Sequence, residues 1–144
     1  MKISTKGRYA LRMIIDITLH QDEGYISLKD ISERQHISKK YLEQIVPLLN
    51  KSGILKTSRG NRGGYKINGN PAKYTVGDIL RATEGSLAPV ACLDFSPNDC
   101  ERIDECFTLP VWEGLYKVVI DYLDGITIQD IADRYINYEN NYCI

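Results

Sequence analysis

The order of local structure signals in the first half of the chain limits the folds it can adopt. Ser27 and Ser38 each precede a helical pattern of apolar residues, and a serine there caps a helix by accepting a backbone N–H bond. Residues 35–37, between the two helices, leave room only for a tight turn. Two short β-like runs follow, at 54–58 and 65–67, on either side of a glycine-rich basic loop. These runs predict a β-hairpin.

Together these elements predict a winged helix-turn-helix, preceded by a helix over 5–20 whose apolar residues recur at helical spacing. Thr75 caps a further helix that Gly85 ends. Residues 86–110 contain three prolines and no lasting periodicity, so we expect a long loop. Thr127 caps a final short helix, followed from Tyr135 by a tail that is either frayed or docked on the core.

Charge is distributed very unevenly between the two halves of the chain. Residues 1–73 carry 14 lysines and arginines against 6 acidic residues, whereas residues 74–144 carry 4 against 13. The formal net charge of −1 conceals this difference. A basic half can bind a polyanion by releasing its counterions, while an acidic half must face elsewhere. Charge alone leaves two oppositely charged solvated surfaces as the alternative.

The helix that begins after Ser38 and the basic loop suit a DNA reader. Lysines suit phosphates, Gln44 can pair with adenine, and Glu43 can accept from cytosine. The loop glycines allow close backbone approach, and an arginine there can enter a narrow minor groove. A hairpin with solvated charges is the alternative, and the loop lacks the ending of a nucleotide-binding P-loop. The predicted DNA-binding residues are Lys2, Ser38, Lys39, Lys40, Tyr41, Glu43, Gln44, Ser58, Arg59, Asn61 and Arg62.

Three cysteines, Cys92, Cys100 and Cys106, lie within 15 residues of the expected loop. Thiolates favour iron–sulfur clusters or zinc. The spacings do not match the close cysteine pairs of zinc ribbons, which favours an iron–sulfur cluster. Three free thiols or a redox pair remain the alternative. We expect Cys143 to be a free thiol, or a fourth ligand if the C-terminal segment reaches the loop.

An apolar stripe at helical spacing follows the loop. This helix has no obvious second helix to pack on in its own half, so we predict that it forms a homodimer interface; packing on its own domain is the alternative. The predicted interface residues are Trp112, Leu115, Val118, Val119 and Tyr122. The overall prediction is mainly α with a small β-hairpin: a winged helix-turn-helix DNA-binding domain (1–85), a cysteine-containing sensor loop (86–110), and a dimerisation helix with a C-terminal tail (111–144).

Nothing in the chain indicates an enzyme or a membrane protein. We find no nucleophile–base pair and no paired carboxylates with a mechanism, and we expect His20 and His36 to be structural or solvent-facing. No apolar run approaches the ~20 residues that span a bilayer. The N-terminus has no apolar signal-peptide core, so we expect a cytoplasmic protein.

Four motifs resemble the Rrf2 family of bacterial transcription regulators: residues 1–11, residues 38–44, the run Arg-Gly-Asn-Arg-Gly-Gly-Tyr at 59–65, and residues 75–85. The resemblance covers nearly the whole chain. It is greatest to the IscR branch, which senses iron–sulfur status, and the start and the aromatic tail resemble the CymR branch, which represses cysteine metabolism genes. The resemblance implies a homodimer with a long crossing helix, over about 110–124, and two wings on a palindromic operator in double-stranded DNA.

The resemblance also implies a 2Fe–2S cluster, because three loop cysteines hold one in IscR-like members and the cysteine triad occupies that place here. The gap between Cys92 and Cys100 is longer than in the usual pattern of IscR-like members. The position of the histidine that follows the last cysteine in IscR is occupied by Leu109 here. A carboxylate used by nitric-oxide-sensing relatives is replaced by Arg8. The fourth ligand is therefore unassigned. Nearby candidates are Asp94, Asp99, Asp104 and Glu105.

The leading hypothesis is thus a homodimeric, sequence-specific DNA-binding regulator controlled by an iron–sulfur cluster. The alternative keeps the DNA reader and makes the protein a cluster-free thiol-redox or partner-controlled repressor of cysteine and sulfur metabolism genes. CymR-like members act with a cysteine-synthase enzyme, which makes such an enzyme a candidate partner. A third hypothesis is a scaffold whose acidic half docks a metabolic enzyme.

Overall fold

The structure is a computed structural model that describes residues 1–142, so the expectations for Cys143 lie outside the described residues. The predicted class, mainly α with a small β-hairpin, is confirmed. Four short 3-10 turns supplement the regular elements, two of them inside the cysteine-containing loop. In chain order the elements are α1 (Thr5–Leu19), α2 (Leu28–Gln35), α3 (Lys39–Lys51), β1 (Leu55–Ser58), β2 (Gly64–Ile67), α4 (Val76–Glu84), α5 (Leu109–Asp124) and α6 (Ile128–Tyr142).

The helix starts follow the predicted capping residues. The hydroxyl oxygens of Ser27 and Ser38 each accept a backbone N–H bond of 3.1 Å from the third residue on. Thr75 and Asp78 form a reciprocal capping box at the start of α4. Pro47 lies inside α3, and the helix continues beyond it to Lys51. Local side-chain bonds therefore set where each of these helices begins.

The turn between α2 and α3 is fixed by one unusual residue and one buried residue. His36 adopts a left-handed backbone conformation, with φ of 54°, which ends α2 abruptly. Ile37 is buried behind it, and the Ser32 hydroxyl donates a 2.6 Å bond to the Ile37 carbonyl. These contacts fix the three-residue turn, 36–38, that joins the two helices of the motif.

The hairpin pairs β1 and β2 in antiparallel register, with Leu55 opposite Ile67 on the core side. Ile26 forms an isolated antiparallel bridge to the hairpin by exchanging backbone bonds of 2.8 and 2.9 Å with Tyr65. This approach requires Gly64, because a Cβ there would lie 2.3 Å from the Ile26 carbonyl oxygen. The hairpin is therefore joined to the segment that leads into α2.

The main core forms around α1, which contacts α2, α3, α4, α6 and β2. Its fully buried residues come from α1, α2, α3, α4 and α6. The core includes Ala10, Met13, Ile14, Ile17, Ile31, Leu42, Ile45, Leu49, Ile79 and Ile128. Because α1 lies at the centre, it connects the helix-turn-helix to the C-terminal half of the chain.

The final helix is longer than predicted, and the expectation of a short helix with a tail from Tyr135 is wrong. α6 has 15 residues and packs against α1, burying Ile128 and Ala132. Its start is tied to the start of α4. The N–H of Val76 donates to Ile126 and the N–H of Ile128 donates to Tyr74, both at 2.9 Å.

One side of helix α5 packs against other residues of its own chain. Tyr116, Ile120 and Leu123 pack against a small second core around Leu80 and Leu87. The contact with α4 supplies the partner helix that the sequence interpretation did not find. The side of α5 that faces away from this contact is exposed, as described below.

Candidate nucleic-acid interface and cysteine loop

Helix α3 separates an apolar side from a polar side. Leu42, Ile45 and Leu49 are fully buried. The predicted reader residues Ser38, Lys39, Lys40, Glu43 and Gln44 are exposed along the helix. Tyr41 differs from them, since it is half-buried and its ring packs edge-on against Tyr9 with centroids 5.3 Å apart. Tyr41 therefore also anchors α3 to α1.

A buried ion pair connects α1 to the end of α2. The Asp16 carboxylate is 1% exposed and accepts bonds from the Arg34 guanidinium at 2.7 and 3.0 Å and from the Gln35 amide at 3.0 Å. This carboxylate raises the pKa of Arg34 above its ordinary value, chiefly through the hydrogen bond. Because Arg34 and Gln35 immediately precede the turn that leads into α3, these bonds support the start of α3 from the side of α1.

The basic loop forms the tip of the hairpin, here called the wing (residues 59–63). Arg59, Asn61 and Arg62 are exposed there, and Ser58 is half-buried at the end of β1. The Thr57 hydroxyl lies 3.2 Å from the Asn50 amide oxygen, to which it donates, and this bond joins the hairpin to the end of α3. Helix α3 and the wing are thus parts of one connected surface.

Glycines shape the wing backbone. Gly60 has a φ of +103°, a conformation that side chains disfavour. A Cβ at Gly63 would lie 2.3 Å from the Ser58 carbonyl oxygen. The tight turn therefore depends on glycine at both positions.

The predicted N-terminal contact, Lys2, is exposed just before α1. The start of α1 is held by Glu84, whose carboxylate accepts the Ser4 N–H at 2.9 Å and the Ser4 hydroxyl at 2.5 Å. Further along α1, the guanidinium of Arg12 donates to Gln35 and lies 5.2 Å from the centre of the Tyr9 ring.

The three loop cysteines are free thiols, and each is half-buried. Cys92 lies in the turn Ala91–Leu93, the N–H of Cys100 donates to the Asn98 side chain at 2.9 Å, and Cys106 lies three residues before α5. Among residues 1–142, no group of three or more His, Cys, Asp or Glu side chains is arranged to hold a metal ion. The predicted ligands therefore lie on one loop without being arranged together as a metal site.

Cys106 differs from the other two thiols in its electrostatic environment. Its sulfur lies 3.5 Å from the Thr108 hydroxyl, and the backbone N–H groups of Thr108 and Leu109 also point at it. These hydrogen bonds, led by that of the Thr108 side chain, lower the pKa of the Cys106 thiol. The arrangement favours the thiolate, which is the form that binds metals and reacts with oxidants.

The exposed face of α5 contains most of the predicted dimer residues. Leu115, Val118 and Tyr122 are 42%, 66% and 68% exposed, and Val111 extends the same face. Trp112 and Val119, also predicted, are half-buried. A second apolar surface is a groove of about 750 Å³ between α1 and α6, with Leu11, Ile15, Leu19, Ile131 and Ile136 among its lining residues.

Sequence reasoning missed two ionic contacts. The Asp16–Arg34 pair joins residues far apart in sequence, although an aspartate between Met13 and Ile17 on an apolar helix side is a signal that could have been used. The second is the Arg81 guanidinium, which lies 2.5 Å from the Asp124 carboxylate and connects α4 to the end of α5. The two histidines behave as expected. His20 is half-buried with its Nδ1 at 2.7 Å from the Asp16 carbonyl oxygen, and His36 is exposed.

Comparison with known proteins identifies this arrangement. A family model described as "Rrf2: Iron-dependent Transcriptional regulator" matches residues 3–134. The chain belongs to the Rrf2 family. The family description and the relatives named IscR are those of transcriptional regulators, which confirms the prediction of a transcriptional regulator rather than an enzyme. No helix in the described part of the chain is both long and apolar enough to cross a membrane.

Similar proteins come from both branches of the family named above. The transcriptional regulator IscR of Pectobacterium atrosepticum is 36% identical over 93% of this chain and 80% of its own length. The structure of CymR, described as the global cysteine regulator of B. subtilis, superposes with a TM-score of 0.76 at 37% identity, over 93% of this chain and 98% of that one. The structure of T. potens IscR has the same TM-score at 38% identity, over 94% and 88% of the two chains.

Proposed function

We propose that this protein is a homodimeric, sequence-specific DNA-binding regulator whose affinity for its operator is controlled by an iron–sulfur cluster held in the cysteine loop. In this proposal residues 1–85 read DNA, residues 86–110 sense the signal, and residues 111–144 mediate dimerisation. The observation that carries the proposal is the direct chain connection of the thiol loop to α5 on one side and to α4 on the other. A change in the loop can therefore act on both the dimer helix and the DNA-binding domain.

The DNA-reading part of the proposal rests on exposure and charge. The polar side of α3 and the wing arginines are exposed together, and the half of the chain that contains them is strongly basic. A recognition helix supported from behind is the geometry that a helix-turn-helix reader needs. Duplex DNA selected by the protein from a random-sequence library is the suitable probe. Lys40→Ala should lower the slope of log affinity against log salt concentration by about one, as expected for the loss of one phosphate contact.

Dimerisation through α5 rests on its exposed apolar face. A row of four large apolar side chains at helical spacing is unfavourable in water and is typical of an interaction surface. The groove between α1 and α6 is a second apolar surface that another copy can cover. Val118→Glu should convert the dimer to a folded monomer in sedimentation experiments. Lys117→Ala, at the neighbouring exposed position, should leave the dimer intact, and a dimeric Val118→Glu protein would contradict this interface.

The donor set fits an iron–sulfur cluster in its chemistry. Cys92, Cys100 and Cys106 would hold the cluster, and the lowered pKa of the Cys106 thiol favours the thiolate ligand. When bound, such a cluster supplies a centre that responds to iron, oxygen and redox state. Because the thiols are not grouped in residues 1–142, the loop must change shape to bring them together. Moving Cys106 moves the start of α5, which begins three residues later.

The first experiment is purification without oxygen, followed by visible spectroscopy and by iron and sulfide assays. Brown protein with absorbance at roughly 320–460 nm and equal iron and sulfide supports the cluster. Cys92→Ala should be colourless and should bind the selected duplex identically with and without iron. The matched control is Cys143→Ala, which should stay brown; loss of its colour would instead assign Cys143 as a ligand.

A cluster-free thiol switch is the second candidate, favoured by three free thiols that are not arranged as a metal site in residues 1–142 and by the lowered pKa of the Cys106 thiol. It predicts colourless protein after reconstitution and DNA binding that changes with peroxide. Cys106→Ser should then abolish the peroxide response, while the Cys92→Ala variant of the cluster proposal should retain at least part of it. The names of the relatives give no support to a cysteine-synthase partner, and the proposal does not include one.

A further inference from the structure

Two lysines that sequence reasoning did not single out face each other across the hairpin. Lys56 on β1 lies directly opposite Lys66 on β2. Directly opposed side chains in an antiparallel pair have Cβ atoms about 5 Å apart, and like charges at that separation destabilise the pair. Among residues 1–142 neither ammonium group has a carboxylate within 4.0 Å. The protein therefore maintains two uncompensated positive charges side by side on its two-stranded sheet.

The lysine pair lies on a defined side of the hairpin. Side chains alternate along a strand, so Lys56 shares its side with Ser58, whereas Leu55 and Thr57 lie on the side that packs on the core and α3. Only Thr57 separates Lys56 from Ser58, and the wing begins at the next residue, Arg59. The positive charge of the pair is thus continuous with that of Arg59 and Arg62 at the wing tip.

Lys66 is also held in position. Its ammonium nitrogen lies 5.1 Å from the centre of the Tyr25 ring, within the range of a cation–π contact. Lys66 is half-buried, while Lys56 is exposed. A fixed lysine beside a free one is an arrangement that can hold a phosphate group between them.

We propose that Lys56 and Lys66 form a phosphate-binding surface on the stem of the wing, which extends the DNA contact beyond the wing tip. The proposal rests on the DNA binding proposed above. Duplex DNA is favoured as the occupant because the pair lies in the basic half of the chain and continues the charge of the wing. A phosphate between the two ammonium groups would also remove their mutual repulsion, so the sheet would be more stable in the complex than in the free protein.

The test compares the salt dependence of DNA binding for the wild type and the double variant Lys56→Ala/Lys66→Ala. The probe is the duplex selected from a random library by the wild type, and an unrelated duplex is measured in parallel. Loss of two phosphate contacts should lower the salt slope by about 2 and make the loss of affinity about 12-fold greater at 50 mM than at 200 mM salt. The loss should be similar on both duplexes, because phosphates contain no sequence information.

Two further variants make the test decisive. Lys73→Ala/Lys117→Ala removes the same charge elsewhere and should leave the slope near that of the wild type. Lys56→Glu creates an opposite-charge pair, so it should raise the melting temperature of the free protein while weakening DNA binding more than Lys56→Ala does.

An unchanged slope in the Lys56→Ala/Lys66→Ala protein would overturn the proposal, as would altered self-association of that protein with normal DNA binding. Failure of the wild type itself to bind any duplex would instead refute the DNA-binding function on which the proposal rests.

Discussion

Replacement of Asp16 by asparagine is expected to weaken both folding and DNA binding. The Asp16 carboxylate is nearly inaccessible to water and is bound by Arg34 and Gln35 of α2. Asparagine has the same size, so no cavity is created, but it has no charge and its NH₂ group faces donors instead of acceptors. The change therefore tests the ionic bonds alone.

The magnitude follows from the burial of the two partners. Breaking a buried ion pair by removing one partner costs about 3–5 kcal/mol. The Arg34 side chain is 32% exposed and can return to water, which lowers the expected loss of unfolding free energy to about 2–3 kcal/mol. In a domain of this size that corresponds to a decrease in melting temperature of roughly 5–10 °C.

Urea unfolding monitored by circular dichroism measures the first effect, with Asp121→Asn as the control. Asp121 also pairs with a lysine, but both side chains are largely exposed, so its replacement should change stability little. The second effect is a loss of DNA affinity with an unchanged salt slope, because α3 is displaced while no phosphate contact is removed. An Asp16→Asn protein with the urea midpoint of the wild type would refute the reasoning.

Two other predictions concern glycines in the hairpin and in α5, and a carboxylate at the start of α6. Gly64→Ala should destabilise the protein by about 1–3 kcal/mol, because the new Cβ would overlap the Ile26 carbonyl. Gly114→Ala should instead stabilise the protein by up to about 1 kcal/mol, because Gly114 lies inside α5 with open space around it. Equal effects of the two variants in urea unfolding would contradict this contrast. Hydrogen bonds from Thr127 lower the pKa of the exposed Asp130 carboxyl below its ordinary value, so its stabilising effect is present above the unfolded-state pKa and is lost as the pH falls through the lower folded-state pKa. The stability of Asp130→Asn should therefore fall below that of the wild type at neutral pH and approach it in acid, as measured by urea unfolding at a series of pH values.

Features set by local chemistry could be predicted from the sequence. The caps at Ser27, Ser38 and Thr75 act on backbone groups three residues away, so a short stretch of sequence contains all the information needed. The same holds for the wing, where glycines determine the turn. The exposed reader residues follow directly, because a helix with one apolar side exposes the other.

Features set by contacts between distant residues could not be predicted in this way. The tyrosine- and asparagine-rich end of the chain has weak helix propensity, and α6 is helical there because Ile128 and Ala132 dock it on α1. Bonds such as that from Tyr135 to Glu139 then support its exposed turns. The cysteine loop has no such regularity, and spacing alone does not determine whether three thiols on it meet.

The paired hydrogen bonds between the start of α4 and the start of α6 have a consequence for how this protein varies. The N–H of Val76, the first residue of α4, is bonded to Ile126, which follows α5. Helix α4 belongs to the main core through Ile79, so the segment between α4 and Ile126, which contains the thiol loop and α5, leaves this core and returns to it. Such a segment can be lengthened, shortened or exchanged without unthreading the core, since the cost of closing a longer loop grows only slowly with its length. In the proposed function this segment senses the signal, so it can be replaced while α3 and the wing keep their shape, and one architecture can respond to different signals.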